Sequence, residues 1–498
     1  MNIALLLEMA ADGDPDRIGL VCEGRRWSYG ELRAAAHGAA EFIRHSSCGH
    51  VALLDESSEA SVLALFGAAF AGVPYCPLNY RLADPDLGAL IKRISPAVII
   101  GDAERARRLA HDYDNVALSR ADFVAKAQEH VRDEPSEGDA GEGIAVQLFT
   151  SGTTAAPKAA ILRHSNLVSY IFGTVEYGSA SEDDAALTVV PPYHIAGISA
   201  LMSSIYAQRR IVMLPSFSPE GWLKLVESEK VTNAFVVPTM LGRIIEALDK
   251  DSSYDVSSLQ AIAYGGGKMP LEVIQKALDR FPNAGFTNAY GLTETSSTIA
   301  LLGPDDHRAA LASDDPKVRG RLTSLGKPLP TVEIEIRDED GKALPPGEAG
   351  EIFVRGEQVS GEYKEKSALT EGGWFPTRDA GYMDEDGYLF LSGRADDVIV
   401  RGAENMSPGE IEDVLLTHPA VADACACAIP SVEWGETVGL AYVVREGHQA
   451  PADSELKDLI RGRLRSSRVP EKLRAVDSLP YNEMGKLLRR EVKKLFAE

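Results

Sequence analysis

The sequence predicts an α/β protein with a large N-terminal domain and a small α+β C-terminal domain. Its 498 residues exceed what one hydrophobic core supports. Short apolar runs alternate with amphipathic helical segments up to about Pro304, which indicates doubly wound sheets. Beyond that residue, alternating strands are separated by Pro/Gly-rich turns. We therefore expect two doubly wound α/β subdomains, a β-rich subdomain and a small, mobile C-terminal domain.

Local patterns place the N-terminal elements. Ser28 and Glu31 have the spacing of a capping box, which starts a helix because each side chain satisfies a free backbone donor of the other. Short apolar runs predict buried strands, and apolar residues at helical spacing predict the helices between them. The predicted strands are 50–54, 96–100, 186–190, 210–214, 233–237, 261–264, 332–336 and 351–354, and predicted helices cover 59–70, 222–229 and 271–280.

A compact α+β unit is predicted from Arg394 to the end of the sequence. We expect domains at 1–393 and 394–498, with a hinge near Asp396. In the second domain the predicted helices are 408–416, 456–464 and 486–496, and the predicted strands are 424–429 and 440–444. Cys425 and Cys427 have strand spacing, so a packed strand is a better interpretation than a pair of metal ligands.

Composition excludes several classes of function. With 51 basic and 74 acidic residues the net charge is −23, which repels a nucleic-acid backbone. Five cysteines without a CxxC pair indicate neither a disulfide framework nor a zinc site. Residues 1–8 lack the features of a signal peptide, and no segment has the roughly 20 apolar residues of a membrane helix. We expect a cytoplasmic protein; its oligomeric state is not readable.

A loop rich in hydroxyl groups follows the apolar run 144–148. It contains Thr150, Ser151, Gly152, Thr153 and Thr154 and reaches Lys158 three residues after Ala155. Backbone N–H groups and hydroxyls are neutral donors for a polyphosphate, and a lysine adds positive charge. The Walker spacing is absent. A polar surface turn is the alternative interpretation.

Two further segments contain candidate site residues. The string Asn288, Ala289, Tyr290, Gly291, Leu292, Thr293, Glu294 places an aromatic ring beside a glycine bend and a carboxylate at a predicted strand end, where α/β sheets bind ligands. Asp379 precedes a hairpin turn, and its carboxylate is able to accept from two ribose hydroxyls. An ordinary strand–turn and a turn-capping aspartate are the alternatives.

In this order, these motifs resemble those of the adenylate-forming superfamily, which includes acyl-CoA synthetases, luciferases and peptide-synthetase adenylation domains. The resemblance covers nearly the whole chain. It implies that Tyr290 stacks on adenine, Thr293 contacts the α-phosphate and Glu294 holds Mg²⁺, for which a carboxylate is a suitable ligand. Asn288 and Ala289 are assigned to the nucleotide with Tyr290, as are Gly266 and Gly267 in the preceding strand-end turn.

The resemblance assigns the remaining site residues. It implies that Asp379 and Arg394 bind ribose and phosphate, Asp396 is the inter-domain hinge, and Lys486 is the mobile catalytic lysine. Gly402, Ala403 and Glu404 correspond to the loop that faces the pantetheine tunnel in CoA synthetases. His194, in a Pro-x-x-His stretch, corresponds to a residue at the mouth of the acyl pocket. From the residues alone, a lysine such as Lys486 is usually a solvated surface residue. For His194, a packed core position is the alternative interpretation.

The implied function is an ATP- and Mg²⁺-dependent ligase that joins a carboxylic acid to CoA through an acyl-AMP intermediate. A carrier-protein acyl-AMP ligase is the near alternative, and a non-catalytic ligand-binding relative is a more distant one. The second is suggested by altered glycine positions, now Ala155, Ala159, Arg378 and Ala403. The expected pocket wall, residues 195–199, 237–240 and 265–267, is small and apolar, which favours a fatty or aromatic acid.

Overall fold

The computed structural model describes residues 1–109, 111, 113–129, 143–150, 157–267, 269–394, 397, 399–401, 404–431, 433–481 and 487–496, with backbone alone at 394, 400, 404 and 405. Predicted site residues outside this set are Ser151, Gly152, Thr153, Thr154, Asp396, Gly402, Ala403 and Lys486, together with the altered glycine position Ala155. Their assignments stay predictions.

Strands and helices alternate through the first third of the chain. The elements are α1 (Ala4–Gly13), β1 (Ile18–Cys22), β2 (Arg25–Ser28), α2 (Tyr29–Ser46), β3 (His50–Leu54), α3 (Glu59–Ala71), β4 (Tyr75–Pro77), α4 (Asp84–Ile94), β5 (Ala97–Gly101), α5 (Ala103–Leu109), β6 (Val116–Leu118), α6 (Arg120–Glu129), β7 (Ile144–Thr150) and β8 (Lys158–Arg163). The predicted capping box starts α2: Ser28 Oγ accepts from the N–H of Glu31, whose carboxylate accepts from the N–H of Ser28.

The middle of the chain continues the alternation. Its elements are α7 (His164–Thr174), β9 (Ala185–Thr188), α8 (Ile195–Tyr206), β10 (Arg210–Met213), α9 (Pro219–Glu229), β11 (Asn233–Val236), α10 (Pro238–Lys250), β12 (Ala261–Gly265), α11 (Leu271–Arg280), β13 (Gly285–Leu292), β14 (Ser297–Leu302), α12 (Pro304–Ala312), α13 (Pro316–Gly320) and β15 (Lys327–Pro328). Helix α11 has the predicted bounds.

The last third contains the β-rich part and the α+β unit. Its elements are β16 (Glu333–Arg337), β17 (Gly350–Arg355), β18 (Glu362–Tyr363), β19 (Phe375–Met383), β20 (Leu389–Arg394), β21 (Ile399–Arg401), β22 (Glu404–Met406), α14 (Pro408–Leu416), β23 (Val421–Ser431), β24 (Gly435–Val444), α15 (Asp453–Arg461), β25 (Lys472–Val476) and α16 (Arg489–Lys494). Cys425 and Cys427 lie buried in β23, as the packed-strand interpretation predicts.

The described strands form four sheets, and the predicted α/β class is confirmed. One sheet has the order β15-β14-β13-β12-β11-β9-β10-β1-β2, and a second has the order β18-β8-β7-β4-β3-β5-β6. Strands β16-β17-β19-β20 form the β-rich sheet, and β22-β21-β24-β23 with β25 form the C-terminal sheet. Parallel pairs such as β3–β5 and β11–β12 are buried between helices, which explains their continuous apolar runs. Among the described helices, none combines the length and apolar character that a membrane crossing requires.

Candidate active site

A cleft of about 1640 Å³, the main cleft, is bordered by the first two sheets, the β-rich sheet and residues of the C-terminal unit. Of the predicted site residues, those in its wall are Thr150, Lys158, His194, Gly266, Ala289, Thr293 and Glu294. Asp397, Tyr481 and Arg489 border it from the C-terminal unit. Residues distant in sequence therefore share one cavity.

Lys158 is the first residue of β8 and pairs with Thr150 across the β7–β8 hairpin. Both residues line the main cleft. The Nζ of Lys158 lies 5.4 Å from the centre of the Tyr363 ring, a cation–π distance. The charge of the lysine is thereby placed beside Tyr363 in the cleft wall.

Tyr363 also contacts the candidate metal ligand. Its hydroxyl donates to Oε1 of Glu294 at 2.6 Å, and Glu294 is 8% exposed. A hydrogen bond to a carboxylate contributes about 1.5–3 kcal/mol, so it fixes the direction of the carboxylate. Tyr363 is not part of any of the predicted motifs. Its only signal is its place on β18, which pairs with β8 at Ala160, a contact that local patterns do not reveal.

The turn that contains Thr293 and Glu294 is shaped by backbone constraints. A Cβ on Gly291 would lie 1.7 Å from the carbonyl oxygen of Ser297, so only glycine fits there. Ser296 and Ser297 have φ values of 58° and 118°, an uncommon conformation for residues with a side chain. Nε2 of Gln358 donates to the carbonyl of Thr295 at 3.0 Å and stabilises the turn from the opposite side.

Tyr290 and Asp379 are paired with each other beside the cleft. The Tyr290 hydroxyl donates to Oδ2 of Asp379 at 2.7 Å, and the two residues are 9% and 8% exposed. The described cleft wall includes Thr377 and Arg378 but neither member of this pair. Asp379 therefore lies one residue from the cleft wall and is buried against Tyr290.

Other predicted residues have different surroundings. Asn288 donates to the carbonyl of Ser324 at 2.9 Å and, like Gly267, is not part of the described cleft wall. Arg394 pairs with Asp379 across β19–β20 through its backbone. Glu404 is in β22, opposite Arg401. Arg378, at a position where glycine is usual in the resemblance, has a φ of 62° and donates its N–H to Glu351 at 3.1 Å; this conformation is the reason a glycine suits the position.

His194 is at the N-terminus of α8 and faces the main cleft. Its Nε2 is buried and has no hydrogen-bond partner among the described residues. Burial, with a smaller effect of the charge on Arg81, lowers the pKa of His194 to about 4. The imidazole is therefore neutral at physiological pH, and it stands in the cavity wall with a buried ring nitrogen that has no partner among the described residues.

One arm of the main cleft, the tunnel, runs along a face of the largest sheet. Strands β11 and β12 alternate between partly and fully buried residues, and the partly buried residues of both strands line the tunnel. Ala186 of β9 and Ala289 of β13 lie in the same wall. Small side chains at Ala186, Ala261, Ala263 and Ala289 leave this space between the sheet and α8. Of the predicted wall, residues 195, 196, 199 and 266 line the cleft, whereas 237–240 lie outside its lining because α10 begins there on the other side.

The cleft thus combines Thr150 and Lys158, a carboxylate fixed at Glu294 and a tunnel of a size for an organic acid, an arrangement that fits the class of adenylating enzymes. The chain matches the family model described as AMP-binding enzyme over residues 7–364 and that described as AMP-binding enzyme C-terminal domain over residues 410–486. It belongs to the family of AMP-binding enzymes, and the predicted superfamily is confirmed.

Similar proteins are acid–thiol ligases. The chain is 31% identical to the fatty acid–[acyl-carrier-protein] ligase ScoC of Streptomyces coeruleorubidus, over 98% of this chain and 95% of that protein. It is 30% identical to the 2-succinylbenzoate–CoA ligase of Bacillus cereus, over 97% and 96%. The structure of O-succinylbenzoate coenzyme A synthetase (MenE) from Bacillus subtilis in complex with ATP and magnesium ion superposes with a TM-score of 0.83 at 29% identity, over 98% and 99%. The predicted enzyme class, an AMP-forming ligase, agrees with these relatives.

Proposed function

We propose that this protein is an ATP-dependent ligase that activates a fatty or aromatic acid as its acyl-adenylate and transfers the acyl group to CoA. One observation carries the proposal: Lys158, Glu294 and His194 line a single cavity from which an apolar tunnel departs. Such a cavity holds a triphosphate, an acid and the reacting atoms together, and positioning of this kind is the main source of catalysis in phosphoryl chemistry.

The phosphate side of the site is proposed at Lys158, Thr293 and Glu294. Negative charge builds on phosphate oxygens while the carboxylate attacks, and a preorganised lysine stabilises it. Glu294 suits Mg²⁺ because its carboxylate is buried, directed by Tyr363, and makes no ion pair with any described residue. Mg²⁺ held there would neutralise phosphate charge. The loop residues 151–154 and Lys486 join this part of the site as predictions.

The ribose and adenine side is proposed at Asp379, Tyr290 and Arg394. Because Asp379 and Tyr290 are hydrogen-bonded to each other, nucleotide binding must exchange or share this bond. A buried carboxylate that already has one hydroxyl donor is suited to accept from ribose hydroxyls. The backbone of Gly266 and Ala289 then offers close approach to the base.

The acid is proposed to bind with its carboxylate near His194 and its stem in the tunnel. The neutral imidazole, whose Nε2 has no partner among the described residues, is able to donate to a carboxylate oxygen without contributing a charge. Small side chains on the sheet face accommodate a chain or ring.

CoA is proposed as the thiol acceptor, with residues 402–404 at its tunnel. Arg461, Arg463 and Arg465 make the C-terminal unit locally basic, which favours a phosphorylated acceptor. Transfer to a carrier protein is the second candidate, since one similar protein has that name. Domains at 1–393 and 394–498, rotating about Asp396, would serve both half-reactions. Cytoplasmic location also stays a prediction.

Pyrophosphate release tests the proposal. The full chain is incubated with ATP, Mg²⁺ and dodecanoate, benzoate or acetate, with CoA, with a phosphopantetheinylated carrier protein, or with neither. We expect acid-dependent pyrophosphate release, higher turnover with dodecanoate or benzoate than with acetate, and an acyl-CoA product. Thioester on the carrier protein alone would establish the second candidate. No release with any acid would contradict the adenylating function and leave a ligand-binding role.

A matched pair of variants assigns the activity to the proposed site. Lys158→Met removes the charge beside Tyr363 and should lower adenylation by about 10²–10³. Lys224→Met, on the exposed side of α9, should retain wild-type activity. Equal activity in both variants would remove Lys158 from the site.

A further inference from the structure

The far end of the tunnel is polar and positively charged. Residues on neighbouring strands align in rows, and the row formed by Ala186, Asn233 and Ala261 is the last on the sheet face. Asn233 and Arg209 line the cavity at this end, and Ser203 lines it from α8. The tunnel therefore begins beside His194 and ends at an arginine.

The backbone of Arg209 is held at both of its polar groups. Its N–H donates to the carbonyl of Ser204 at 2.8 Å, and its own carbonyl accepts from the Tyr29 hydroxyl at 2.9 Å. Arg209 comes directly before β10, two residues ahead of Ile211, which pairs with Ala186. By strand alternation it shares the tunnel face of the sheet, so the guanidinium is directed into the cavity by the fold.

Neighbouring protein groups compensate the positive charge of the Arg209 guanidinium only weakly. Its Nε is buried and has no hydrogen-bond partner among the described residues. Asp184 offsets its charge through space. One carboxylate oxygen of Asp184 accepts from the N–H of Ser181 at 3.0 Å, and the other lies 3.2 Å from Thr232 Oγ1, whose single hydroxyl hydrogen is closer to Asn233.

A second arginine adds positive charge to this end. Burial lowers the pKa of Arg209 below its usual value, and the like charge of Arg17 adds a smaller effect in the same direction. A buried cation is costly without an anion that hydrogen-bonds to it. The arrangement becomes favourable when an anion enters from the tunnel.

Asn233 completes an anion site with hydrogen-bond donors. Its Oδ1 accepts from Thr232 Oγ1 at 2.7 Å, so the amide nitrogen is the side that remains for a ligand. The Ser203 hydroxyl is a further donor in the same wall. Cation, amide and hydroxyl together match the acceptor oxygens of a carboxylate.

We propose that the acid substrate carries a second carboxylate, which binds Arg209 and Asn233 at the Arg209 end of the tunnel. The proposal rests on the proposed function and narrows its substrate class to long acids that are charged at both ends. Strand β12, whose residues Ala261 and Ala263 line the tunnel, spans Ala261–Gly265, about 13 Å, which is about ten bonds of an extended alkyl chain. The arginine side chain shortens this path, so α,ω-diacids of about eight to ten carbon atoms fit best.

The test compares ligands that differ only at the far end. Decanedioate, its monomethyl ester and decanoate are used as substrates, and kcat/KM is measured by pyrophosphate release. The wild type should favour the diacid over the ester by about tenfold or more, since a charged hydrogen-bonded pair is lost with the ester. A preference for the ester or for decanoate would overturn the proposal.

Variants locate the effect at Arg209. Arg209→Met should reduce the diacid preference to near unity, and Arg209→Lys should retain part of it. Arg243→Met is the control, because Arg243 is exposed on α10 and packs on Phe217, outside the described tunnel wall. A diacid preference that is equal in wild type and in folded Arg209→Met would overturn the assignment.

A binding measurement separates this inference from the proposed function. Decanedioate and its monomethyl ester are titrated calorimetrically into wild type and Arg209→Met without ATP. Tighter binding of the diacid by wild type alone supports the second-carboxylate site even if no adenylation is found. Adenylation of decanoate, with no diacid selectivity in rate or binding, would leave the ligase function intact and refute the site.

Discussion

At the scale of single residues, the bond between Tyr290 and Asp379 determines how the nucleotide side of the site is prepared. The phenol donates to a carboxylate that is 8% exposed, so the carboxylate is oriented before any ligand enters. The same bond occupies one of its oxygens. Removing the Asp379 carboxylate therefore differs from removing the Tyr290 hydroxyl, and the effects of the two changes on ATP binding can be measured separately.

Replacing Asp379 by Ala should raise the apparent KM for ATP and lower adenylation. Each hydrogen bond to a charged acceptor contributes about 1.5–3 kcal/mol, so the loss of one ribose contact costs about tenfold or more. Initial rates of pyrophosphate release over a range of ATP concentrations provide the measurement. Tyr290→Phe is the control for structure, because it breaks the same internal bond but keeps the carboxylate. An ATP dependence equal to wild type in Asp379→Ala would remove this residue from the site.

His194 should make stability depend on pH. Its folded-state pKa of about 4 is below the value of 6.5 for an unperturbed histidine, so the unfolded state binds the proton first. The contribution is present above about pH 6.5 and is lost as pH falls toward 4. Relative to His194→Phe, the free energy of unfolding of wild type should decrease by about 2 kcal/mol between pH 7 and about pH 5.

Denaturant unfolding of both proteins at the two pH values gives this difference. The comparison is needed because burial also lowers the pKa of His50 and His307, and these two groups act equally in both proteins. A difference that does not change with pH would mean that His194 titrates normally and is not the neutral donor proposed for the acid.

At the scale of elements, the turn between β13 and β14 carries the most constrained part of the site. A Cβ on Gly291 would lie 1.7 Å from the Ser297 carbonyl, so Gly291→Ala must displace one strand. We expect a loss of several kcal/mol in stability and a large loss of adenylation. Gly242→Ala is the matched control. No atom lies within 4 Å of its added Cβ in α10, and it should stabilise the protein by about 0.5–1 kcal/mol.

Thermal unfolding and pyrophosphate release of the two glycine variants provide the comparison. A Gly291→Ala protein with wild-type stability and activity would show that the turn tolerates a side chain, and the proposed placement of Thr293 and Glu294 would then lack its structural basis.

The sequence predicted elements well where the signal is local. The capping box at Ser28 starts α2, and the strand 50–54 and the helices 271–280 and 408–416 have the predicted bounds. The expected pocket wall was only partly right, because whether 237–240 reach the tunnel depends on which side of the sheet α10 packs. Tyr363 and Arg209 were missed for the same reason. The role of Tyr363 comes from its contact with Glu294, 69 residues away in the sequence. The role of Arg209 comes from the alignment of residues across neighbouring strands. Neither arrangement has a local sequence pattern.

At the scale of the whole molecule, the C-terminal unit borders the cavity through the start of its last helix. Arg489 lines the main cleft and lies 3.5 Å from Asp397. It also forms a buried ion pair with Glu412 of α14, which raises its pKa above the usual range. This anchor joins the segment after the proposed hinge to the segment after Lys486. Motion of the unit would therefore move both together.

Removing Lys486 should impair the adenylation half-reaction but not the thioester-forming half-reaction. Lys486 lies outside the described residues, yet its neighbour in sequence, Leu487, lines the cleft. If its charge reaches the cavity only in the adenylating orientation, it stabilises the charge that builds on the phosphate and has no role when the thiol attacks preformed acyl-adenylate. Losing one preorganised charged donor costs about 10²–10³ in rate. Lys486→Ala should therefore abolish most ATP-dependent acyl-adenylate formation but convert supplied acyl-adenylate and CoA to thioester at near wild-type rate.

Two comparisons make this test specific. Lys494→Ala, which removes an exposed lysine of α16 that pairs with Glu491, should leave both half-reactions unchanged. Asp396→Pro fixes φ at the proposed hinge. It should retain adenylation and impair thioester formation, because only thioester formation requires the rotation. A folded Lys486→Ala protein that is equally impaired in both half-reactions would refute a two-orientation mechanism, since one fixed arrangement would then have to serve both steps.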